Sequence, residues 1–519
     1  MSKIIKDIVI VGGGTAGWLT ACNLAKQLNV KAKNSFTITL VESPDIPTIG
    51  VGEGTWPTMR KTLHRLGIDE AEFMKECDAT FKHGTKFVNW RQSPKDGSSE
   101  YYYNLFTSYV DPSEFNLAPY WKMGYAGEGK SYPDSVSMQE QVSEHGLAPK
   151  KITTPQYDGI VGYAYSLNAG KFGKMLNRLA VEKLGVEHKL ANVNSVELDE
   201  EGFIESITTD RLGTIKGDFF VDCTGARALL IGEALGIEYI PFTDTILTNQ
   251  AIFMQVPYEN ENSPIVPCTV STAQECGWTW DIGLTNRRGV GYVYSDAYCD
   301  AERAEKVLRD YIGPQSEQLT AKQVKVNVGQ RKRSFHKNCL ALGMAAAFVE
   351  PLEASAIFLM EAGSNMLADL FPRHRDALPQ VEKTFNESFN YRWAKTVDFI
   401  KMHYYLSRRD DNDFWLDNRD LKTVPESIQI KLAHWKTQPI SKYDFPNTFE
   451  PFAMESYQYI LYGMENDIDF SQHSAGFGEV DKAKRIFNEV ERATEIALRE
   501  LPNHRTLINK IHQFGLPRV

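Results

Sequence analysis

The stretch DIVIVGGGTAGWLTACNLAKQL, residues 7–28, decides the fold of this chain. Residues 7–12 form an apolar run that ends in glycine, which is typical of a fully buried parallel strand. Residues 15–28 then predict a helix, and residues 36–42 (FTITLVE) predict a second strand. A strand, a helix and a strand in this order form a β-α-β unit, so we expect a parallel sheet.

Glycines occupy the turn between the first strand and the helix, where residues 12–17 (GGGTAG) fit the pattern G-x-G-x-x-G. Gly12 permits a tight turn, Gly14 lets a pyrophosphate approach the backbone, and Gly17 lets the helix pack closely on the strand. The N–H groups and the dipole of the helix N-terminus attract phosphates. The alternative is a glycine-rich turn that binds no ligand. The predicted dinucleotide-binding residues are Gly12, Gly14, Thr15, Ala16 and Gly17, with Glu42 at the end of the second strand holding the ribose hydroxyls.

Later segments favour FAD over NAD as the dinucleotide. Residues 217–225 (GDFFVDCTG) form an apolar strand and resemble the second dinucleotide motif of FAD-dependent monooxygenases. Residues 162–180 and 338–353 resemble further motifs of that class, although Asn168 and Met344 stand where aspartates are usual. The sequence has no second G-x-G-x-x-G that could bind NAD(P)H, so we expect the flavin to arrive already reduced. The further FAD-binding candidates are Thr224, Gly225, Gly343 and Ile357.

Composition limits the other function classes. The chain has 519 residues and a net charge of −10 at pH 7, so its electrostatics predict no nucleic-acid partner. The seven cysteines are scattered without a CxxC pair, so we expect no metal site. The N-terminal residues enter a strand directly without a signal peptide, and no apolar run reaches the roughly 20 residues that cross a bilayer. We therefore expect a cytoplasmic protein without a membrane partner.

The order of the predicted elements indicates two regions. We expect residues 1–375 to form an FAD-binding α/β body, interleaved with substrate-covering segments at about 80–160 and 240–330. The pattern then becomes mostly helical and ends in an amphipathic stretch at 479–500. The predicted fold class is α/β, a Rossmann-like FAD-binding fold similar to that of the aromatic monooxygenases, with a mostly helical substrate-binding module at 376–519.

Three further blocks together resemble the flavin-dependent tryptophan halogenases. Residues 277–282 (GWTWDI) fit the W-x-W-x-I signature of that family. Residues 81–90 (FKHGTKFVNW) resemble the stretch that carries its catalytic lysine, which corresponds to Lys82. Residues 348–355 (FVEPLEAS) resemble the segment that carries its catalytic glutamate, which corresponds to Glu353. The resemblance covers essentially the whole chain, and the combination is more specific than any single block.

The resemblance implies an FADH₂-dependent oxidoreductase that makes hypohalous acid from O₂ and a halide. Lys82 would receive that oxidant, because a desolvated lysine can lose its proton, and would hold it by a hydrogen bond or become a haloamine. Glu353 could polarise the oxidant and accept the ring proton of the substrate. The pair Trp278 and Trp280 would keep organic substrates away from the flavin, or would be a core tryptophan pair, or both. A separate flavin reductase and a possible homodimer are also implied.

The candidate substrate pocket departs from the family's pattern. Asn104 and Phe106 fall where tryptophan-directed members usually have a His and a Phe. Tyr457 lies in a region where such members have a Trp that sandwiches the indole. Phe106 and Tyr457 could still flank an aromatic ring, since offset stacking needs a face on each side. The expected substrate is therefore an electron-rich small aromatic such as an indole, rather than free tryptophan.

The halide-binding turn departs as well. The halide candidates are Ser355 and Ala356, and the usual Ser and Gly around this turn are replaced by Ala354 and Ala356. The extra methyl groups could change halide access, so we expect a preference for bromide over chloride.

Two alternative functions stay open from the sequence. The first is an aromatic-ring hydroxylating FAD monooxygenase, against which Lys82 and the Trp278/Trp280 pair argue. The second is a non-catalytic flavin or nucleotide sensor, which would not require a buried pair of Lys82 and Glu353.

Overall fold

The computed structural model describes residues 3–46, 52–95 and 98–518. A six-stranded sheet lies at the centre of the nucleotide-binding body, and the strand Asp7–Val11 lies within it, parallel to its neighbours Thr37–Glu42 and Phe219–Asp222. The predicted β-α-β unit is therefore confirmed. The strands follow the order Phe335–His336, Cys339–Ala341, Phe219–Asp222, Asp7–Val11, Thr37–Glu42 and Glu187–Leu190, and the first of these pairs antiparallel with its neighbour.

The helix Thr15–Gln27 covers this sheet and packs against a second helix, Ser355–Leu370. The two helices are joined by a hydrogen bond in which the buried Asn23 amide donates to Ser364 Oγ at 2.7 Å. A buried amide and hydroxyl that satisfy each other fix the relative position of the helices. The residues that precede Ser355 are thereby held close to the glycine turn.

A seven-stranded sheet forms the second layer and combines two distant parts of the chain. Its strands Gly84–Val88 and Thr269–Gln274 pair in parallel, and its remaining pairs are antiparallel. The strand Gly277–Gly283, which carries the W-x-W-x-I signature, lies inside this sheet. In order the strands are Lys322–Lys325, Gln250–Pro257, Arg287–Tyr294, Gly277–Gly283, Thr269–Gln274, Gly84–Val88 and Tyr101–Leu105.

Three small sheets complete the strand structure. In one of them the central strand Ala164–Asn168 pairs with Gly52–Gly54 on one side and with Thr80–Lys82 on the other. The strands of Gly54 and Lys82 thus lie on opposite sides of Ala164–Asn168, and the Lys82 side chain reaches Gly54, where a methyl group would lie 3.1 Å from Nζ. The other two sheets contain Val193–Leu198, Ile204–Thr209 and Gly213–Lys216, and Tyr239–Pro241, Gly329–Arg331 and Ala347–Phe348.

Helices dominate the C-terminal part of the chain, as predicted. The amphipathic stretch at 479–500 is confirmed as the helix Val480–Glu500. The longest helix, Leu378–Leu406, has a largely buried second half. The others in this part are Asp413–Asp417, Glu426–Trp435, Met454–Gly463 and His504–Phe514. Earlier helices are Thr58–Leu66, Glu70–Glu76, Ala118–Lys122, Tyr132–Val136, Gln139–Glu144, Ala169–Arg178 and Ala301–Ile312.

Within the described residues, none of the helices has the length and apolar character needed to cross a membrane.

The glycine turn gives a matched pair of stability predictions. A methyl group on Gly17 would lie 1.9 Å from the Gly12 carbonyl oxygen, whereas nothing lies within 4 Å of a methyl group on Gly14. We expect Gly17→Ala to lower the free energy of unfolding by about 3 kcal/mol, as overpacking of a core does. Gly14→Ala should change it by no more than about 0.5 kcal/mol. Urea unfolding followed by circular dichroism measures both, and equal stabilities of the two variants would contradict this packing.

Candidate active site

The glycine turn has the geometry of a phosphate cradle. Gly12 has a φ of +114°, and a side chain there would collide with the Cys223 carbonyl oxygen at 2.2 Å. Gly17 lies against Gly12, as the sequence predicted, while Gly14 faces open space at the N-terminus of the helix Thr15–Gln27. The free N–H groups of this helix end therefore point to a space that an anionic group can enter.

Glu42 lies directly beside the glycine turn. A methyl group on Gly13 would overlap its carboxyl group, at 2.1 Å from Cδ. The Glu42 carboxylate is paired with His188 Nε2 at 2.8 Å, and the His188 ring packs edge-on against Trp18 with the ring centroids 4.9 Å apart. His188 carries no sequence signal, because it comes from a strand about 150 residues later that joins the sheet only in the fold.

The segment at residues 217–225, which resembles the second dinucleotide motif of FAD-dependent monooxygenases, borders the glycine turn. Asp222 is fully buried, and its carboxylate accepts hydrogen bonds from the backbone and hydroxyl of Thr224 and from the backbone N–H groups of Leu230 and Ile231. Burial raises the pKa of Asp222 although these hydrogen bonds oppose the shift. Asp222 therefore fixes the loop at Thr224 and Gly225, where Gly225 has a φ of +70°.

An apolar cavity of about 280 Å³ continues from the nucleotide site. A methyl group on Gly343 would lie 3.0 Å from the Ala16 side chain, which shows how closely this end of the cavity approaches the glycine turn. Apolar walls and glycine backbone suit a flat ring system such as an isoalloxazine. The open cradle and this cavity together fit FAD. The residues that line it include Gly54, Trp280, Gly343, Met344, Ala356 and Ile357.

Lys82 is buried at the end of the strand Thr80–Lys82, with a relative exposure of 1%. Burial lowers the pKa of Lys82 to about 8, while the negative charge of Glu353 acts in the opposite direction. A methyl group on Gly54 would lie 3.1 Å from Lys82 Nζ, so the amine lies against the wall of the apolar cavity. The Phe106 ring centroid is 5.5 Å from the same nitrogen.

Glu353 is buried two residues before the helix Ser355–Leu370 begins. Asn104 Nδ2 donates to both of its carboxylate oxygens at 3.1 Å, and His403 Nε2 lies 3.1 Å from Oε1. Trp56 Nε1 donates to the Glu353 backbone oxygen at 2.8 Å. The structure therefore brings Lys82, Glu353 and Asn104 together and adds His403 and Trp56, which the sequence did not predict. His403 is missed because it lies inside a helix some 320 residues after Lys82.

The candidate halide residues lie at a helix N-terminus. Ala354 has a φ of +53°, and Ser355 is the first residue of the 16-residue helix. Ser355 Oγ is buried and has no hydrogen-bond partner among the described residues. A buried hydroxyl without a partner is unfavourable, so this atom is free to bind a small ligand. Ala356 contributes to the wall of the apolar cavity.

Trp278 and Trp280 form a wall of the second sheet. Both lie on the strand Gly277–Gly283, and their ring centroids are 6.3 Å apart. Trp280 lines the apolar cavity, and Trp278 is fully buried beside Trp90. Gly291 on the neighbouring strand leaves room for the Trp280 ring, since a methyl group there would lie 2.2 Å from Trp280 Cζ2.

Tyr457 lies deeper in the protein than a substrate-facing residue needs to. Its ring is packed among those of Phe399, Trp435 and Phe445, with centroids 4.8, 5.7 and 4.9 Å away. Phe452 stacks on Phe399 with centroids 3.8 Å apart, and it also contacts the Trp56 ring. A row of aromatic rings therefore leads from Trp56 to Tyr457.

Outside this site, one group of side chains among the described residues has metal-binding geometry. The ligand atoms of Glu275, Cys276 and Cys299 lie within 4.8 Å of one another. The Glu275 carboxylate, however, already forms a two-point ion pair with Arg303 at 2.6 and 2.8 Å.

A parallel sheet with an open glycine cradle, joined to a flat apolar cavity, defines the class of FAD-binding α/β proteins. A sequence profile described as tryptophan halogenase matches residues 7–475. The tryptophan 6-halogenase SttH of Streptomyces toxytricini is 33% identical over 476 residues, which cover 88% of each chain. The tryptophan 7-halogenase RebH of Lentzea aerocolonigenes is 34% identical over 449 residues, covering 84% of this chain and 83% of that protein. The crystal structure of a tryptophan halogenase from Shewanella frigidimarina NCIMB 400 superimposes with a TM-score of 0.95 at 40% identity, covering 100% of this chain and 99% of that one.

The chain therefore belongs to the tryptophan halogenase family. Its members are FADH₂-dependent oxidoreductases, and the fold class and the enzyme class predicted from the sequence are both confirmed.

The contact between Asn104 and Glu353 can be measured by mutation. Asn104→Leu keeps the volume but removes the donor to both carboxylate oxygens, so it should lower the free energy of unfolding by about 1.5–3 kcal/mol, as expected for hydrogen bonds to a charged group. In the Glu353→Gln variant, Asn104→Leu should lower the free energy of unfolding by a smaller amount, because the buried charge has been removed. Denaturant unfolding of the four proteins gives the coupling energy. Strictly additive effects would show that the two side chains do not interact.

Proposed function

We propose that this protein halogenates an electron-rich aromatic such as an indole, using reduced FAD, O₂ and a halide. The observation that supports the proposal most is the buried amine of Lys82, which has Glu353 close by and lies against the wall of the cavity that fits the flavin ring. A buried lysine and a buried carboxylate are expensive to desolvate, and perturbed groups of this kind that border a cavity are typical of active sites.

The residues that would hold FAD are those around the open cradle. The N-terminus of the helix at Thr15, Ala16 and Gly17 would bind the pyrophosphate, and Glu42 would bind ribose hydroxyls after it exchanges its His188 contact. Thr224, Gly225, Gly343 and Ile357 would border the flavin. When bound in the reduced form, the flavin supplies electrons with which O₂ converts a halide into hypohalous acid. A separate reductase would deliver it, since no second dinucleotide motif is present in the sequence.

Lys82 and Glu353 would direct the oxidant to the substrate. A neutral Lys82 amine can hold hypohalous acid by a hydrogen bond or take its halogen, and burial brings the pKa of Lys82 to about 8, so a part of the protein carries the neutral amine at physiological pH. The Glu353 carboxylate would accept the proton that the ring loses when the halogen is added. Trp278 and Trp280 would exclude organic substrates from the flavin side, because packed indoles leave no passage for a ring.

The polar groups around Glu353 support a substrate with an N–H group. Asn104 Nδ2 donates to both carboxylate oxygens of Glu353, and its Oδ1 is buried without a hydrogen-bond partner among the described residues. A buried acceptor of this kind favours a ligand that brings a donor, such as the N–H of an indole. Phe106, half-buried beside Lys82, would provide one aromatic face. The helical part at 376–519 would close the pocket with the aromatic row that ends at Tyr457.

The halide would bind at the N-terminus of the helix Ser355–Leu370. The positive end of the helix dipole and the unpartnered Ser355 hydroxyl both favour an anion there. The methyl groups of Ala354 and Ala356 border this turn, and we propose that they favour the larger and more easily desolvated bromide over chloride.

One assay tests the proposal directly. The protein is incubated with reduced FAD, O₂, bromide and indole, and bromoindole is detected by its bromine isotope pattern in mass spectrometry. We expect Lys82→Met and Glu353→Gln to bind FAD but to lose activity by about 10²–10⁴-fold, the usual contribution of an acid–base group. Lys86→Met is the matched control, since Lys86 forms a partly exposed ion pair with Glu144. Hydroxyindole without bromoindole would identify a hydroxylating monooxygenase instead.

The halide site is tested by Ser355→Ala. Because the buried hydroxyl has no partner, we expect this change to leave the free energy of unfolding unchanged or slightly higher. It should raise the KM for bromide several-fold, while the KM for the aromatic substrate changes little. Steady-state kinetics with bromide and chloride in parallel measure both effects and the preference between the halides. An unchanged KM for both halides would place the halide elsewhere.

A further inference from the structure

His403 is fixed by two contacts that together define its protonation. Its ring is fully buried in the helix Leu378–Leu406, with Nδ1 2.8 Å from the Phe399 carbonyl oxygen and Nε2 3.1 Å from Glu353 Oε1. A carbonyl oxygen only accepts hydrogen bonds, so Nδ1 must carry a hydrogen. In a neutral ring Nε2 would then have a lone pair that faces a carboxylate oxygen, which is repulsive. A second proton must therefore lie between Nε2 and Glu353.

The surroundings of Glu353 indicate on which side this proton lies. Asn104 donates to both carboxylate oxygens, and the Lys82 amine is close enough for the Glu353 charge to act on it. Donors and positive charge favour the ionised form of a carboxyl group. With that proton on Nε2, the contact between His403 and Glu353 is a buried, charge-assisted hydrogen bond.

Lys82 makes no comparable contact. Among the described residues no carboxylate oxygen lies within the 4.0 Å of Lys82 Nζ that defines an ion pair, whereas His403 and Glu353 satisfy that limit. We infer that His403, and not Lys82, is the counter-ion of Glu353, and that this pairing leaves the Lys82 amine free to lose its proton. The inference rests on the proposed function, in which Lys82 reacts with hypohalous acid.

The chemical consequence follows from the balance of charges. An imidazolium that pairs with Glu353 compensates its charge, so Glu353 favours an ammonium at Lys82 less strongly. A neutral amine has the lone pair that accepts a hydrogen bond from hypohalous acid HOX, or that takes its halogen in the step R–NH₂ + HOX → R–NHX + H₂O. An ammonium group has no such lone pair. His403 is thus a positioning residue that sets the charge state of Lys82.

Other titratable groups face the three side chains. Lys82 is faced by Glu353 and by the Cys268 thiol. Tyr102 faces Glu353, and Glu350 acts on His403. Phe87, Trp90 and Phe399 surround the His403 ring with centroids 4.8, 6.0 and 5.3 Å away, and exclude water from the pair.

The experiment measures the titration of Lys82 in the flavin-free protein. Lysines labelled with ¹³C at Cε report their protonation by NMR, and Lys82→Met assigns the Lys82 signal. His403→Gln keeps a neutral donor near Glu353 but removes the positive charge. We expect the pKa of Lys82 to lie about one pH unit or more higher in His403→Gln than in the parent protein, since Glu353 then acts on Lys82 alone. Glu353→Gln should shift the titration downwards.

Tyr404→Phe is the matched control, because Tyr404 follows His403 on the same helix but donates to Glu350 at 2.7 Å. It should leave the Lys82 titration in place. In the active enzyme, the rise of kcat/KM with pH should move upwards in His403→Gln by the same amount as the Lys82 signal. A Lys82 titration that is equal in the parent protein and in His403→Gln would overturn the inference. If the titration moves but the parent protein forms no halogenated product, the pairing stands and the proposed function fails.

A second measurement does not depend on any variant's folding. In protein labelled with ¹⁵N-histidine, His403 should show hydrogen on both ring nitrogens. His504 is an internal reference: its Nδ1 also lies 3.1 Å from a carbonyl oxygen, of Ile265, but its Nε2 accepts the Phe81 backbone N–H. Its Nε2 must therefore lack a hydrogen. If the His403 signal showed a ring nitrogen without hydrogen, as expected for His504, it would refute the imidazolium.

Discussion

The buried carboxylate of Glu353 constrains the rest of this structure. Taking a carboxylate out of water is costly unless donors and a counter-charge surround it. Asn104 comes from the seven-stranded sheet, His403 from the long C-terminal helix, and Lys82 from a three-stranded sheet. The helix Ser355–Leu370, which follows Glu353, packs on the helix Thr15–Gln27. Four parts of the fold must therefore be correctly assembled before the charge of Glu353 can be buried.

Gly54 separates the apolar cavity from the Lys82 amine. A methyl group on Gly54 would lie 3.1 Å from Lys82 Nζ and 3.2 Å from the Ala354 side chain, and Gly54 itself lines the cavity. A side chain at position 54 would require Lys82 or Ala354 to shift by a few tenths of an ångström. The backbone of one glycine therefore lies between the Lys82 amine and the apolar cavity.

Features that depend on neighbouring residues could be read from the sequence. The β-α-β unit, the roles of Gly12 and Gly17, and the strand that carries Trp278 and Trp280 are local patterns, and the structure agrees with them. Lys82 and Glu353 could be selected because each lies in a recognisable block. His188 and His403 could not, since an isolated histidine in a strand or helix has no pattern that names its partner. The enclosure of Tyr457 by the rings of Phe399 and Phe445 could not be predicted either, because sequence position does not show which way a helix faces.

Asn104 and His403 act on different properties of Glu353. Asn104 fixes the orientation of the carboxylate, and His403 balances its charge. Asn104 is neutral, and its amide holds both oxygens, so it fixes the orientation of the carboxylate without changing the sum of charges. His403 contacts one oxygen and supplies the charge. This division leaves Asn104 Oδ1 pointing away from the carboxylate, as the geometry of a planar amide requires, and without a hydrogen-bond partner in the described part of the chain. A histidine at position 104 would provide a second titratable ring and a larger aromatic face instead. A histidine in place of Asn104 would therefore alter the charge around Glu353, which the neutral amide leaves unchanged.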